Sequence, residues 1–213
     1  MSSTREPPTY ESSVFINCPF DTDYAPLFRA IVFTLEFCHF RARCSLEIED
    51  SGVTRAEKLI RIIRNSRFGI HDISRTESSV DGLPRFNMPY EFGIFIGQKF
   101  SGIRKQSQKS TLVLDREKYR YQRYFSDIAG QDIRSHAGHI DTLIRELRSW
   151  LQGQVTRHLP GSKYLCEQYA QFNLDLPRIL QLARMTQADL ENYHDFLRLI
   201  GDWIEGDTKT KNH

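Results

Sequence analysis

The chain's 213 residues and 25.0 kDa, with 39% hydrophobic and 12% aromatic content, supply apolar surface for one full globular domain and a small appendage. A net charge of +2 and a pI of about 8.3 exclude the strongly basic footprint of an obligate nucleic-acid binder. No apolar run reaches the roughly 18 residues that span a bilayer, and residues 1–13 carry neither a signal-peptide core nor a lipidation motif, so a soluble, cytoplasmic protein without a membrane partner is expected.

After a lead expected to be disordered over 1–13, Val14-Phe15-Ile16 is a short apolar run stopped by Asn17-Cys18-Pro19-Phe20-Asp21, the pattern of a buried strand and its loop. Leu27, Phe28, Ile31, Val32, Leu35 and Cys38 recur at helical spacing. Arg41 to Leu46 alternates, with Ala42, Cys44 and Leu46 on one face, and predicts a second strand broken by Asp50-Ser51-Gly52. Thr54 to Glu57 is a capping box that opens a helix to about Asn65, with Ala56, Leu59, Ile60 and Ile63 on its apolar face. Phe68 to Ile73 predicts a third strand with Asp72 near its carboxyl end, followed by a polar loop over 74–85. Thr111 to Leu114 and 132–135 predict a fourth and a short fifth strand. Ile140, Leu143, Ile144, Leu147, Trp150 and Leu151 mark a helix ending near Gly153.

Short strands too apolar to be one-faced, alternating with helices, imply a parallel sheet covered on both sides. An open doubly wound, flavodoxin-like α/β domain is expected over 14–153. Ligands in such sheets sit beyond the carboxyl ends of the strands, where the winding reverses. Past Pro160 only helical patterns remain: Tyr164 to Phe172, Pro177 to Met185 opened by its proline, and a long helix capped by Thr186-Gln187-Ala188-Asp189. The 160–206 region is near the lower size limit for folding alone and is expected to pack on the first domain or on another protomer, while 207–213 forms a loose tail.

Between the third and fourth strands runs Phe86-Asn87-Met88-Pro89-Tyr90-Glu91-Phe92-Gly93-Ile94-Phe95-Ile96-Gly97. A proline pushes the residue before it towards extended backbone and suits the first helical position, so the helix is expected to start at Pro89 with Glu91 third. Phe92, Phe95 and Ile96 then face a core, and Gly93 and Gly97 share a strip that permits close backbone approach. Glu91 has two readings. A first-turn carboxylate meets the positive helix end, for about 0.3–1 kcal/mol, or completes a cap; alternatively it is a catalytic group at the mouth of a cleft.

The strand and loop Val14 to Phe20, Asp72, and Asn87-Met88-Pro89-Tyr90-Glu91-Phe92-Gly93 together resemble the superfamily that joins nucleoside 2-deoxyribosyltransferases with TIR-like (Toll/interleukin-1-receptor-like) NAD-cleaving domains. The transferases carry a Gly-Pro-Phe-type loop and a later Glu-Leu-Gly; the corresponding residues here are Cys18-Pro19-Phe20 and Glu91-Phe92-Gly93. Bacterial TIR-like domains add an apolar-Ile-Gly step and a later Ser-Asp-Leu-x-Gly, matched here up to Gly97 and by Ser126-Asp127-Ile128-Ala129-Gly130, which tilts the resemblance towards them. The resemblance covers about 14–150 and implies a TIR-like sheet in which Glu91 acts on a ribose–base bond. NAD or a related nucleotide would be the substrate and no cofactor would be needed. It further implies a role in bacterial anti-phage immunity and homo-oligomeric or activator contacts through the C-terminal helices. The alternatives are a deoxyribosyltransferase-like enzyme and a non-catalytic nucleotide-binding signalling or scaffold module.

Other residues join Glu91 as candidates. Phe20 can stack on a base or close the core edge. Asn17 and Asp21 can reach ribose hydroxyls or serve as turn residues. Asp72 can hold a ribose diol or cap the next loop. Arg55, beside the Ser51-Gly52 turn, can meet a diphosphate or point to solvent. Asn87 can cap its helix or hold substrate, and Tyr90 can line the pocket. The basic and aromatic stretch Arg116 to Phe125 has the composition of a single-strand binder, but the near-neutral chain favours an adaptable loop or protein interface. Cys18, Cys38, Cys44 and Cys166 lack CxxC spacing and are expected to be reduced; His136 and His139 have no ligand cluster beside them, so no metal site is expected.

Overall fold

A computed structural model describes residues 8–75, 85–128 and 130–211, with side chains described as far as residue 206. Five strands form one sheet in the order β2-β1-β3-β4-β5, every pairing parallel: β1 (Ser13–Asn17), β2 (Arg41–Arg43), β3 (Phe68–Asp72), β4 (Ser110–Asp115) and β5 (Arg134–Ser135). This is the flavodoxin-like order, whose winding reverses between β1 and β3. There Asn17 pairs with His71, one residue before Asp72.

Period-2 alternation assigns the side chains to two layers. Val14 and Ile16, Phe68 and Ile70, and Leu112 and Leu114 share one core with α1 (Ala25–Phe37) and α5 (Ile140–Gln152). Phe15 points to the opposite face and packs with Leu59, Ile62 and Ile63 of α2 (Arg55–Arg64) and Phe95 of α3 (Asn87–Lys99). Gly69 lets α3 settle on the sheet: a β-carbon there would stand 2.7 Å from both Phe95 Cζ and His71 Nε2. The Thr54–Glu57 capping box forms and starts α2. Its far end is held after the single-turn α4 (Arg104–Ser107), where buried Lys109 donates to the Ile63 carbonyl at 2.7 Å and to that of Ser66.

The C-terminal region does not stand apart. Leu165, Tyr169, Phe172, Leu176 and Leu180 of α6 (Ser162–Ala183) and Phe196, Leu199 and Ile200 of α7 (Tyr193–Lys211) are buried in the same core as α1 and α5. Where two helices were expected, α6 runs unbroken through Pro177. That residue is exposed, and so is Asn173 four residues earlier, so water can serve the carbonyl that lacks a helical donor. The Thr186–Asp189 box caps a 3₁₀ turn over Gln187–Glu191, not α7 itself. The tail expected to be loose from 207 continues as helical backbone to Lys211.

Two expectations nearer the N-terminus need correction. Within the lead expected to be disordered over 1–13, residues 8–13 are held on the fold: Tyr10 is buried and donates its hydroxyl to the Lys105 carbonyl at 2.6 Å, and Ser13 opens β1. The second strand stops at Arg43, and Leu46 lies in a 3₁₀ turn over Ser45–Glu47. The loop expected over 74–85 falls mostly outside the described residues, as does Ala129 of the Ser126–Gly130 motif.

Candidate active site

Glu91 is not a helix cap. α3 starts at Asn87, so Met88 is helical and Pro89 stands third; all of the first four N–H groups of a helix lack helical partners, and a proline is as harmless there as at the first position. Glu91 is therefore fifth, past the capping positions, and no acidic residue occupies the first turn. Among the described residues Gly93 and Gly97 do not serve close packing, since a β-carbon at either would meet no described atom within 4 Å.

The Glu91 side chain is 7% exposed, and its only ion pair among the described residues is with Arg55 Nη2 at 3.8 Å, whose own side chain is 68% exposed. No described group donates a hydrogen bond to it. Burial raises the carboxyl to about 7, and the Arg55 cation partly offsets that rise. Glu91 faces a cleft of about 410 Å³ at the carboxyl end of β1. Asn17, Phe20, Asp21, Arg55 and Asn87 line the same cleft, so the structure brings together six of the expected residues, counting Glu91. Arg85, Leu46, Cys18, Pro19 and Met88 complete it. Burial and the nearby Asp72 carboxylate push the Cys18 thiol well above its usual range, which disqualifies it as a thiolate nucleophile.

Asn17 ties the sheet to the helix that carries Glu91. Its amide nitrogen donates to the Met88 carbonyl at 2.8 Å and lies 3.0 Å from His71 Nδ1. A carbonyl only accepts, so the amide orientation is fixed; His71 Nδ1 must then accept as well, and the ring proton sits on Nε2. Burial, then the Lys109 cation, lowers His71 to about 3, which keeps it neutral. Both amide hydrogens of Asn17 point inwards, leaving its oxygen as the atom available to the cleft.

Two expected residues are elsewhere. Tyr90 is 60% exposed and outside the cleft lining. Asp72 is fully buried beneath it: Oδ2 accepts the Tyr24 hydroxyl at 2.5 Å, Oδ1 accepts the Ser74 N–H at 2.8 Å, and His136 Nε2 approaches Oδ2 at 3.0 Å, obliquely for a hydrogen bond. Burial opposes ionisation, but the His136, Ser74 and Tyr24 contacts prevail and hold Asp72 below the usual carboxylate range. Its oxygens are committed, so Asp72 braces the site and does not meet a ribose diol. Asp21, at the cleft rim, accepts the Tyr24 N–H and pairs with Arg75 at 2.9 Å and Arg85 at 2.7 Å.

Sequence reasoning missed Arg85, His71, His136 and Tyr24. The two histidines carry no local motif, and only the β1–β3 pairing and the Asp72 contact reveal them. Arg85 sits two residues before α3, and a basic side chain flanking the suspected helix was the available signal. In the Arg116–Phe125 stretch, Tyr121 is buried and Arg120 donates to Asp115 at 2.7 Å and to the Ile73 carbonyl at 3.0 Å, which binds the segment to the ends of β3 and β4.

The fold and cleft define a class: a flavodoxin-order α/β domain with an under-bonded buried carboxylate at the edge where such sheets take ligands. No family model matches the chain, and no curated protein matches it. Among the described residues no group of three His, Cys, Asp or Glu could hold a metal ion, and no helix is long and apolar enough to cross a membrane.

Proposed function

We propose that the protein is an NAD⁺ nucleosidase of TIR-like type, a hydrolase or cyclase that breaks the nicotinamide–ribose bond. The observation that carries this reading is Glu91: a carboxylate buried at a cleft wall, lacking a hydrogen-bond donor among the described residues, beside residues that suit a ribosyl nucleotide. A volume of about 410 Å³ lies within the roughly 300–1,000 Å³ typical of ligand sites. Asn17 offers an acceptor oxygen for a ribose hydroxyl or a carboxamide, and Phe20 offers an aromatic wall.

The chemistry requires one carboxylate. As the C1′–N bond breaks, its electron pair leaves with nicotinamide, which departs as a neutral base and needs no general acid. Positive charge grows on the ribosyl C1′ and O4′, and ionised Glu91 stabilises it electrostatically or captures it covalently. Water then bonds to C1′ and gives up a proton, for which the carboxylate is the acceptor; attack by a group of the same nucleotide gives the cyclic product. The substrate's cationic ring favours ionised Glu91 in the complex, and with its carboxyl near 7 in the free protein, kcat/KM rises with pH through about 7.

Arg55 and Arg85 favour a phosphate-bearing substrate over the neutral nucleosides of a deoxyribosyltransferase. Assembly or activator contacts through the C-terminal helices and a role in anti-phage immunity belong to this reading through the TIR-like resemblance alone. The test is chromatography of concentrated protein, alone and with candidate activators, after incubation with NAD or with deoxynucleosides and free bases. Nicotinamide release is expected. Base exchange without NAD loss would assign the transferase reaction instead, and nucleotide binding without turnover in any assembly state would assign a signalling module.

A further inference from the structure

Behind Phe20 lies a second and larger cavity, about 710 Å³, which the Glu91 chemistry leaves unused. It opens between the start of α1 and the C-terminal region. Phe28, Tyr193 and Phe196 give it an aromatic wall: Phe28 meets Phe20 edge-on at 5.3 Å between ring centroids and Tyr193 at 6.2 Å. The two cavities are adjacent. Pro19, Phe20, Asp21 and Leu46 line both, so this short ridge is their shared wall.

The ridge is also where cationic side chains gather. Asp21 is paired with Arg75 at 2.9 Å and with Arg85 at 2.7 Å at the point where the cavities adjoin, and Arg75 also meets Asp23 at 3.1 Å, so the charges of the ridge balance. An anion arriving there meets guanidinium donors it can share with the two aspartates, flanked by Arg55 in the cleft and Arg29 in the chamber, and the forked donors of arginine match phosphate oxygens as readily as carboxylate. In order, the surface offers a carboxylate cleft, an arginine-bearing ridge and an aromatic chamber. A ligand complementary to all three is a dinucleotide: a ribosyl group at Glu91, a diphosphate over the ridge and a flat second base in the chamber. Nicotinamide mononucleotide, bound with its ribose at Glu91, leaves the larger cavity empty.

We infer that the aromatic chamber closed by Tyr193 and Phe196 is the subsite for the purine base of a dinucleotide substrate, so that the C-terminal helices build part of the substrate site. This rests on the N-glycosidase reading for what happens at Glu91, but the chamber can be tested without turnover. The probe is AMP, titrated calorimetrically into the full-length protein. The key variant is Ala25→Trp, which projects an indole into the chamber from the first residue of α1. AMP should bind the wild-type protein and Glu91→Gln alike and displace NAD from Glu91→Gln. Its affinity should fall roughly tenfold or more in Ala25→Trp, the order of a lost base–aromatic stack. Phe28→Leu, which removes a half-buried ring and leaves its volume nearly filled, should weaken AMP roughly fivefold and keeps the test available should Ala25→Trp not fold. Where turnover is seen, wild-type kcat/KM for NAD should exceed that for nicotinamide mononucleotide roughly tenfold or more, and the ratio should fall towards one in Ala25→Trp.

Loss of turnover with every substrate would overturn the nucleosidase reading, while the AMP titrations would still decide the chamber. The subsite is overturned if AMP fails to bind, if it binds folded Ala25→Trp and Phe28→Leu as tightly as wild type, or if it binds without displacing NAD.

Discussion

Two carboxylates, Asp72 at the end of β3 and Glu91 on α3, are both almost wholly buried, and their environments have opposite effects. Asp72 accepts bonds from Tyr24 and Ser74 and has His136 against it, which together hold it ionised below the usual carboxylate range. Glu91 has one distant, exposed arginine, and burial raises it to about 7. Burial alone therefore does not separate a bracing carboxylate from a reactive one. The number of donors does: a carboxylate whose lone pairs are satisfied by its own protein stabilises the fold, whereas one left short of donors in a cleft is kept for a substrate.

The largest expected effect falls on the Asp72 side. Asp72→Ala strips the acceptor from a buried hydroxyl and a buried N–H, and should cost roughly 3–5 kcal/mol in denaturant unfolding. A loss under 1 kcal/mol would mean that Asp72 is not the brace described.

Next is the pH dependence of Glu91. Its folded value of about 7 lies above the ordinary 4.5, so the folded chain holds that proton more tightly than the unfolded chain. The contribution is present below 4.5 and is lost as pH rises through 7. Comparing wild type with Glu91→Gln by unfolding at pH 4 and pH 8 should show the variant gaining up to roughly 3 kcal/mol of relative stability at the higher pH. Asp72 has the opposite sign, its contribution being lost as pH falls through its lowered value, so Asp72→Asn should lose least relative to wild type in acid.

Smaller again is Asn17→Asp. It sets a carboxylate oxygen against the Met88 carbonyl and His71 Nδ1 in place of a donor, and should cost about 2 kcal/mol and loosen the start of α3. Asn17→Ser, which retains a short donor, should do less harm in the same melts. The smallest effect is Arg55→Ala: the exposed guanidinium is well screened, so the acid limb of the pH–rate profile should move upwards only slightly. An unmoved limb would mean that Arg55 does not act on Glu91.

The framework and the cleft were legible for different reasons. The apolar runs of β1, β3 and β4 and the Thr54–Glu57 box are local patterns, and the sheet order that follows from them brings Asn17, Phe20, Asp21, Arg55, Asn87 and Glu91 together. Pro89 misled by two residues because several early helical positions tolerate a missing N–H equally. Pro177 suggested a helix start because its cost is offset by a buried stripe on either side, from Leu165 to Leu180, which propensity cannot weigh. The assignment of Asp72 to a ribose followed from its place at a strand end. What decides its role is the long-range approach of Tyr24 and His136, which no spacing within the chain encodes.

The most direct measurement is nicotinamide release from NAD by wild type and Glu91→Gln side by side at pH 8, where the carboxyl is ionised, each at matched concentration and assembly state and with folding verified by melting. The account predicts release by the wild type and a fall of about 10²–10³-fold or more in the variant, the scale of losing one preorganised electrostatic group. Equal release by the two proteins would contradict it, because the bond would then be broken without the buried carboxylate that the described residues leave short of donors.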